Sequence, residues 1–294
     1  MSEQRPAGAA AADRLPVLKT HKVYVGGKFP RSESGRFDRA LAPDGTPIAN
    51  ICRCSRKDVR DAVTAARAAQ AGWAARTAYN RGQILYRIAE MLEGRSGQFE
   101  ALLAAGGATP DEAAAEVQAA VDRLVHYAGW TDKFQQVFSS VNPVATSHFN
   151  FSILEPMGVV GVLAPESPLL GLVSSIAPAI AGGNTTVVLV TGSQPLPATT
   201  FGEVLNSSDV PGGVVNILTG RRDEMLAPLA AHRDVDGLLL CTADRDVARS
   251  AEIEAVHNLK RVALRPSDDW TDIQSPYEIT DLQEVKTTWH PIGS

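Results

Sequence analysis

Three cysteines, six histidines and one serine in a tight Pro-rich turn are the side chains of this sequence best equipped for nucleophilic or metal chemistry. A catalytic cysteine works as its thiolate and needs a base or a cationic setting to reach that state. Cys241 instead closes the apolar run VDGLLLC (235–241), the place of a small buried hydrophobe. Cys52 and Cys54 stand two residues apart in the strand-like ICRC, where they share one face, and no redox or metal role is expected of them. Ser167 lies in Pro165-Glu166-Ser167-Pro168. No Gly-x-Ser-x-Gly elbow surrounds it and no histidine is assigned to it, so it reads as a turn and helix-cap serine. His21, His126, His148, His232, His257 and His290 show no ligand spacing. The expectation is a chain without catalytic residues and without a metal site.

The elements that would position any such group are legible. MGVVGVLA (157–164), TTVVLV (185–190), VVNILT (214–219), VDGLLLC (235–241) and RVAL (261–264) are short, nearly unbroken aliphatic runs. Runs of that kind are typical of parallel strands covered on both faces. Helix-length segments separate them at 168–181, 195–207, 222–232 and 245–258, which implies right-handed βαβ units. The expected fold class is α/β, a Rossmann-like five-stranded parallel sheet with flanking helices. Upstream, 56–105 and 109–136 read as long helices, with Ser55 as a cap and Pro110 at a first helical position. Residues 21–43 read as a small β-meander, and 144–155 alternate apolar and polar as a strand or hairpin does. After Leu264 the chain turns rich in Pro, Ser and Asp over 265–280, a linker composition. It closes on 281–294, where Val285, Thr287 and Trp289 alternate with polar residues and no following strand of the chain is left to pair with them.

Composition narrows the partners. The chain has 294 residues, 44% of them hydrophobic and 21% charged, with a net charge of −5 and no basic stripe, so nucleic acid is not an expected partner. The apolar stretch 153–190 is broken by Pro156, Glu166, Pro168 and Pro178, unlike the roughly 20-residue run of a spanning helix, so no membrane is expected either. Three cysteines form no even framework, which suits the cytoplasm. Residues 1–20 read as a flexible arm.

From about residue 23 to 264 the order of segments resembles the aldehyde dehydrogenase superfamily: VYVGGKF, AVTAARAAQAGWAA, HYAGWTDKFQ, EPMGVVGVLAP, PLLGLVSSIAPAIAGGNT, VPGGVVNILTG, HRDVDGLLL and NLKRVAL. The tail LQEVKTTWHPIGS resembles the last strand of that family, part of its oligomerisation arm together with 144–155. In the family a complete catalytic domain lies between NLKRV and that tail. Here about twenty residues bridge the same junction. The implied organisation is a nucleotide-binding domain at 21–264, a linker at 265–280 in place of the catalytic domain, and an oligomerisation strand at 281–294.

The resemblance implies a chemistry and its loss. The family attacks an aldehyde with a thiolate carried by the missing domain and passes hydride to NAD. None of the three cysteines here lies in that nucleophile's context. The oxyanion-stabilising Asn of a Pro-Trp-Asn turn gives way to Pro165-Glu166-Ser167, and the general-base Glu after NLKRV gives way to Arg265. The ribose-binding Lys-Pro-Ser-Glu is replaced by Val190-Thr191-Gly192-Ser193, and the pyrophosphate turn by Thr242-Ala243-Asp244-Arg245-Asp246. The cofactor positions are thus degenerate at Val190, Ser193, Thr242 and Ala243. Losing two charge-assisted hydrogen bonds at roughly 1.5–3 kcal/mol each would weaken NAD by roughly 10²–10⁴-fold.

The function implied is a non-catalytic structural or regulatory subunit, a pseudoenzyme assembled with a full-length NAD(P)-dependent aldehyde dehydrogenase. Partner contacts are expected from Phe149, Phe151, Ile153, Val285, Thr287 and Trp289. Three alternatives stay open: a stand-alone ligand-binding module, a residual enzyme active only with a partner or by hydrolysis through Ser167, and a decaying paralogue without a selected role.

Overall fold

The computed structural model describes residues 17–266, 269–272 and 274–293. Most of the arm expected at 1–20, and Ser267 of the expected linker, lie outside these residues. The chain opens with β1 (Thr20–His21), β2 (Phe37–Leu41) and β3 (Pro47–Cys52), a small sheet ordered β1-β3-β2 in place of a simple meander. Four helices follow: α1 (Arg56–Ala74), α2 (Ala78–Glu93), α3 (Ser96–Ala105) and α4 (Pro110–Trp130), then the short α5 (Phe134–Phe138). The segment expected as one helical stretch at 56–105 therefore breaks twice. Thr77 caps α2 by accepting from the N–H of Asn80, and Gly94 ends it. Capping boxes at Ser55–Asp58 and Thr109–Glu112 start α1 and α4, each fixing orphan amides at the first turn.

Next come β4 (Ser140–Asn142), β5 (His148–Pro156), β6 (Val159–Leu163), α6 (Leu170–Ala181), β7 (Thr185–Val190), α7 (Leu196–Asn206), β8 (Val215–Thr219), α8 (Arg222–Ala230), β9 (Gly237–Leu240), α9 (Arg245–Ala255) and β10 (Arg261–Leu264). Strands β6 to β10 form one parallel sheet ordered β10-β9-β6-β7-β8, the five-stranded α/β sheet expected. Every residue of β6, β7, β8 and β9 is buried, which is why those runs carry no polar alternation. One apolar cluster joins α2, α4, α6 and α7 to the sheet, and a second joins α1, α8 and α9 to its other side.

Within 265–280, expected as a linker, the described residues Arg265, Trp270 and Ile279 are buried. Trp270 is 3% exposed and Ile279, in α10 (Tyr277–Thr280), is fully buried. Arg123 of α4 donates to the carbonyls of Trp270 (2.8 Å) and Thr271 (3.0 Å) and to Oε1 of Gln274 (3.2 Å). The segment is a strap across α4 and α6.

The C-terminal strand pairs with the preceding strand of the 144–155 segment, with which the family resemblance groups it as one arm. β11 (Gln283–Pro291) runs antiparallel to β5 in continuous register from Gln283↔Pro156 to Pro291↔His148, giving a three-stranded arm ordered β11-β5-β4. Among the described residues no helix is long and apolar enough to cross a membrane.

Candidate functional site

The crossovers run one way from β6 through β7 to β8 and the other way through β9 to β10, so the strand order reverses beside β6. Ligands of open α/β sheets bind at the carboxyl ends of the strands at such a point. A cleft of about 360 Å³ occupies it, with Glu166, Ser167, Thr191, Arg222, Thr242 and Trp270 among its lining residues.

Three helices begin beside this cleft; carboxylates of the chain occupy the N-termini of α6 and α9, while α8, starting at Arg222, has no side-chain cap. At α6, Oε1 of Glu116 accepts from the N–H groups of Leu169 (3.0 Å) and Leu170 (3.1 Å). Ser167 Oγ accepts from Gly171 N–H at 2.9 Å and donates to the same Glu116 oxygen at 3.4 Å, the cap role expected of it. At α9, the Asp244 carboxylate accepts from Asp246 N–H (3.0 Å) and Val247 N–H (3.2 Å), while Thr242 Oγ1 accepts from Asp244 N–H (3.1 Å). At α6 and α9 the amides that could receive a phosphate are thus satisfied internally. After β7, Val190 is 7% exposed and Ser193 offers its N–H to Glu166 Oε2 at 3.4 Å. A Cβ on Gly192 would sit 2.7 Å from that oxygen, so only glycine lets the carboxylate rest there. Ala243 is exposed and lines the rim.

The thiols are quiet. Cys241 forms part of the cleft floor and burial pushes its pKa up to about 12. Burial raises Cys54 further still. Neither is a thiolate near neutral pH. Arg265, at the end of β10, has a buried side chain ion-paired to Glu278 and, at 3.6 Å, to Asp281. A fixed guanidinium with two carboxylate partners cannot accept a proton. Among the described residues no group of three or more His, Cys, Asp or Glu could hold a metal ion.

A family model, "Aldehyde dehydrogenase family", matches residues 29–266. The chain belongs to the aldehyde dehydrogenase family. The putative aldehyde dehydrogenase DhaS of Bacillus subtilis is 29% identical over 251 residues, 83% of this chain and 50% of that protein. Retinal dehydrogenase 2 of Mus musculus is 31% identical over 255 residues, 84% of this chain and 48% of that protein. Among solved structures, the NAD⁺ complex of the Bacillus cereus aldehyde dehydrogenase superposes with a TM-score of 0.79 at 26% identity, covering 84% of this chain and 50% of that one. The chain spans about half the length of the relatives it matches.

This member of the aldehyde dehydrogenase family has a second candidate surface, the β11-β5-β4 arm, and register sorts its residues. Directly opposed residues of an antiparallel pair share a face. Val285, Thr287 and Trp289 lie opposite Leu154, Ser152 and Asn150, on a face joined by Asn142 to Asn150 (2.6 Å) and Ser152 to Thr287 (2.8 Å) hydrogen bonds. Phe149, Phe151 and Ile153 lie opposite His290, Thr288 and Lys286 on the other face, beside α5, where they line a shallow apolar groove with Val141. The six residues expected to act together therefore fall three to a side. Trp289 is 58% exposed and packs edge-on to His148, 5.9 Å between ring centres. Glu116, Glu166, Arg222 and Trp270 escaped the sequence reading as site residues. Glu116 lies 53 residues from the amide it caps, a separation that leaves no local signal.

Proposed function

We propose that the chain is a non-catalytic subunit of a hetero-oligomer with a full-length NAD(P)-dependent aldehyde dehydrogenase, which it stabilises, tethers or regulates. The observation that carries this reading is the arm. Among the described residues β11 is hydrogen-bonded on one side only, by β5, and it presents Val285 at 64% and Trp289 at 58% exposure along a nine-residue edge. An open strand edge is a ready template for strand addition, and proteins normally cover it. A partner with an intact catalytic-domain sheet would supply the missing strand, whereas this chain crosses the corresponding junction with the strap. The absence of catalytic chemistry is supported by Arg265 held in its ion pairs and by the raised thiols of Cys54 and Cys241.

The residues present do not fit a dinucleotide. Asp244 fills the amides of α9 that would hold pyrophosphate, and Glu166 places a negative charge against the turn after β7. Weak or absent NAD binding belongs to the same proposal, as does a cytoplasmic location for a protein with three free, buried thiols.

The test is affinity purification of the tagged chain from its native cells with mass spectrometry of what accompanies it. A full-length aldehyde dehydrogenase in near-stoichiometric amount is the expected result. A soluble homo-oligomer without such a partner overturns the reading.

A further inference from the structure

The cleft beside β6 has an electrostatic layout that the subunit role does not use. Glu166 and Arg222 both line it, and both side chains are exposed. Glu166 meets only the N–H of Ser193, at a long 3.4 Å, and among the described residues neither it nor Arg222 makes an ion pair. The two therefore bring opposite, uncompensated charges to one small cavity. The helices around it reinforce the sign at each end. α6 and α9 begin under carboxylate caps, whereas α8, which begins at Arg222, has no side-chain cap. Its first-turn amides add positive potential beside the guanidinium. Asp223 and Glu224 also occupy that turn, but Arg36 and Arg53 hold Glu224 in ion pairs, and neither acid lines the cleft. Thr191 and Thr242 put hydroxyl groups on the walls and Trp270 supplies an apolar side.

We propose that this cleft binds a small zwitterion of the α-amino-acid class, with its carboxylate on the Arg222 guanidinium and its ammonium on the Glu166 carboxylate. A guanidinium presents a planar fork suited to carboxylate, and charge-assisted hydrogen bonds of this kind are the strong ones. A dianion would be repelled by Glu166 and a dication by Arg222. A neutral ligand would desolvate both charges without pairing either. The volume of about 360 Å³ lies at the small end of the roughly 300–1,000 Å³ typical of metabolite pockets. A quaternary ammonium is disfavoured as well. Such groups are recognised in aromatic cages, and Trp270 is the single aromatic residue lining this cavity. Glu166 instead has lone pairs open to N–H donors. The site stands whether or not the chain assembles with a partner.

Isothermal titration calorimetry of the full chain against each of the twenty L-amino acids tests this, with acetate, methylamine and glycine betaine as single-charge and N–H-free probes. Saturable binding of one or a few amino acids is expected, with none of the three probes bound. Glu166→Gln and Arg222→Met should each weaken that binding about tenfold or more, while circular dichroism shows both variants folded, since both side chains are exposed. Both should still purify with any aldehyde dehydrogenase partner, which separates failure of this site from failure of the subunit reading. No binding of any amino acid overturns the proposal. So does acetate or betaine binding as well as the amino acid, or binding unchanged in both variants.

Discussion

The guanidinium of Arg265 is ion-paired with the carboxylate of Glu278, joining the last strand of the parallel sheet to the helical turn of the strap. The pair sits where the family expectation places a general-base glutamate. The guanidinium is taken up in the packing of the strap, and, already protonated, it offers no site for a further proton.

Removing that guanidinium leaves a half-buried carboxylate without its main partner, beside Asp281. Arg265→Ala should destabilise the chain by about 3 kcal/mol in urea denaturation. Arg265→Glu, which restores the family's residue type, should be worse still and yield no aldehyde oxidation. A stable or active Arg265→Glu variant would contradict this account of the strap.

The self-capped helix α9 makes a prediction for nucleotide binding. The chain should show no saturable NAD binding below about 1 mM in calorimetry. Asp244→Ala should lower stability by about 1 kcal/mol through loss of the cap. Micromolar NAD affinity in the unaltered chain would show that the capped amides are not the barrier.

Register separates the two faces of the arm, and variants can tell which one a partner uses. Trp289→Asp should abolish co-purification of an aldehyde dehydrogenase by replacing the large exposed apolar side chain beside the β11 edge with a charge. Phe149→Asp, on the opposite face, should spare pairing through the β11 edge. Undiminished recovery with Trp289→Asp would count against strand addition.

Stability should fall as pH drops from about 7.5 to 5.5. Burial is the largest cause lowering the pKa of His21, His126 and His232, so the folded chain binds fewer protons at these sites than the unfolded chain. Their stabilisation is complete above the ordinary value of about 6.5 and is lost below it, toward the folded values. Glu278, raised mainly by its own burial, acts in the opposite sense, its contribution fading as pH rises. His126, whose Nε2 has no hydrogen-bond partner, isolates the effect: His126→Gln should flatten the pH dependence of denaturation midpoints, and an unchanged slope would refute the assignment.

All three cysteines are buried. A colorimetric aromatic disulfide should therefore react slowly with the native chain and with three thiols after denaturation. Rapid reaction of one thiol in the native state would revive a redox role.

The parallel sheet was legible because burial on both faces removes polar alternation, and β7 lies where its aliphatic run begins and ends. The double break in 56–105 was less visible, because α1, α2 and α3 are all rich in helix-forming residues and the stops rest on single positions such as Thr77 and Gly94. At Trp270 and Ile279 the linker composition of 265–280 says little about packing, for a physical reason. Pro, Ser and Asp describe a linker by composition, but Trp270 and Ile279 find their pocket only once α4 and α6 are in place.

The sequence by itself determined the five-strand sheet and the family likeness, and it carried the expectation that base and cofactor motifs are replaced at Arg265, Val190 and Thr242. Those are properties of local pattern and residue type. The tertiary structure alone decided that β11 pairs with β5, that the six arm residues divide between two faces, that Glu116 and Asp244 seal the helix N-termini, and that Glu166 and Arg222 meet in one cleft. Each of these except the Asp244 cap joins residues tens to more than a hundred positions apart. Their proximity follows from the crossover order of the sheet, which hydrophobic periodicity cannot encode.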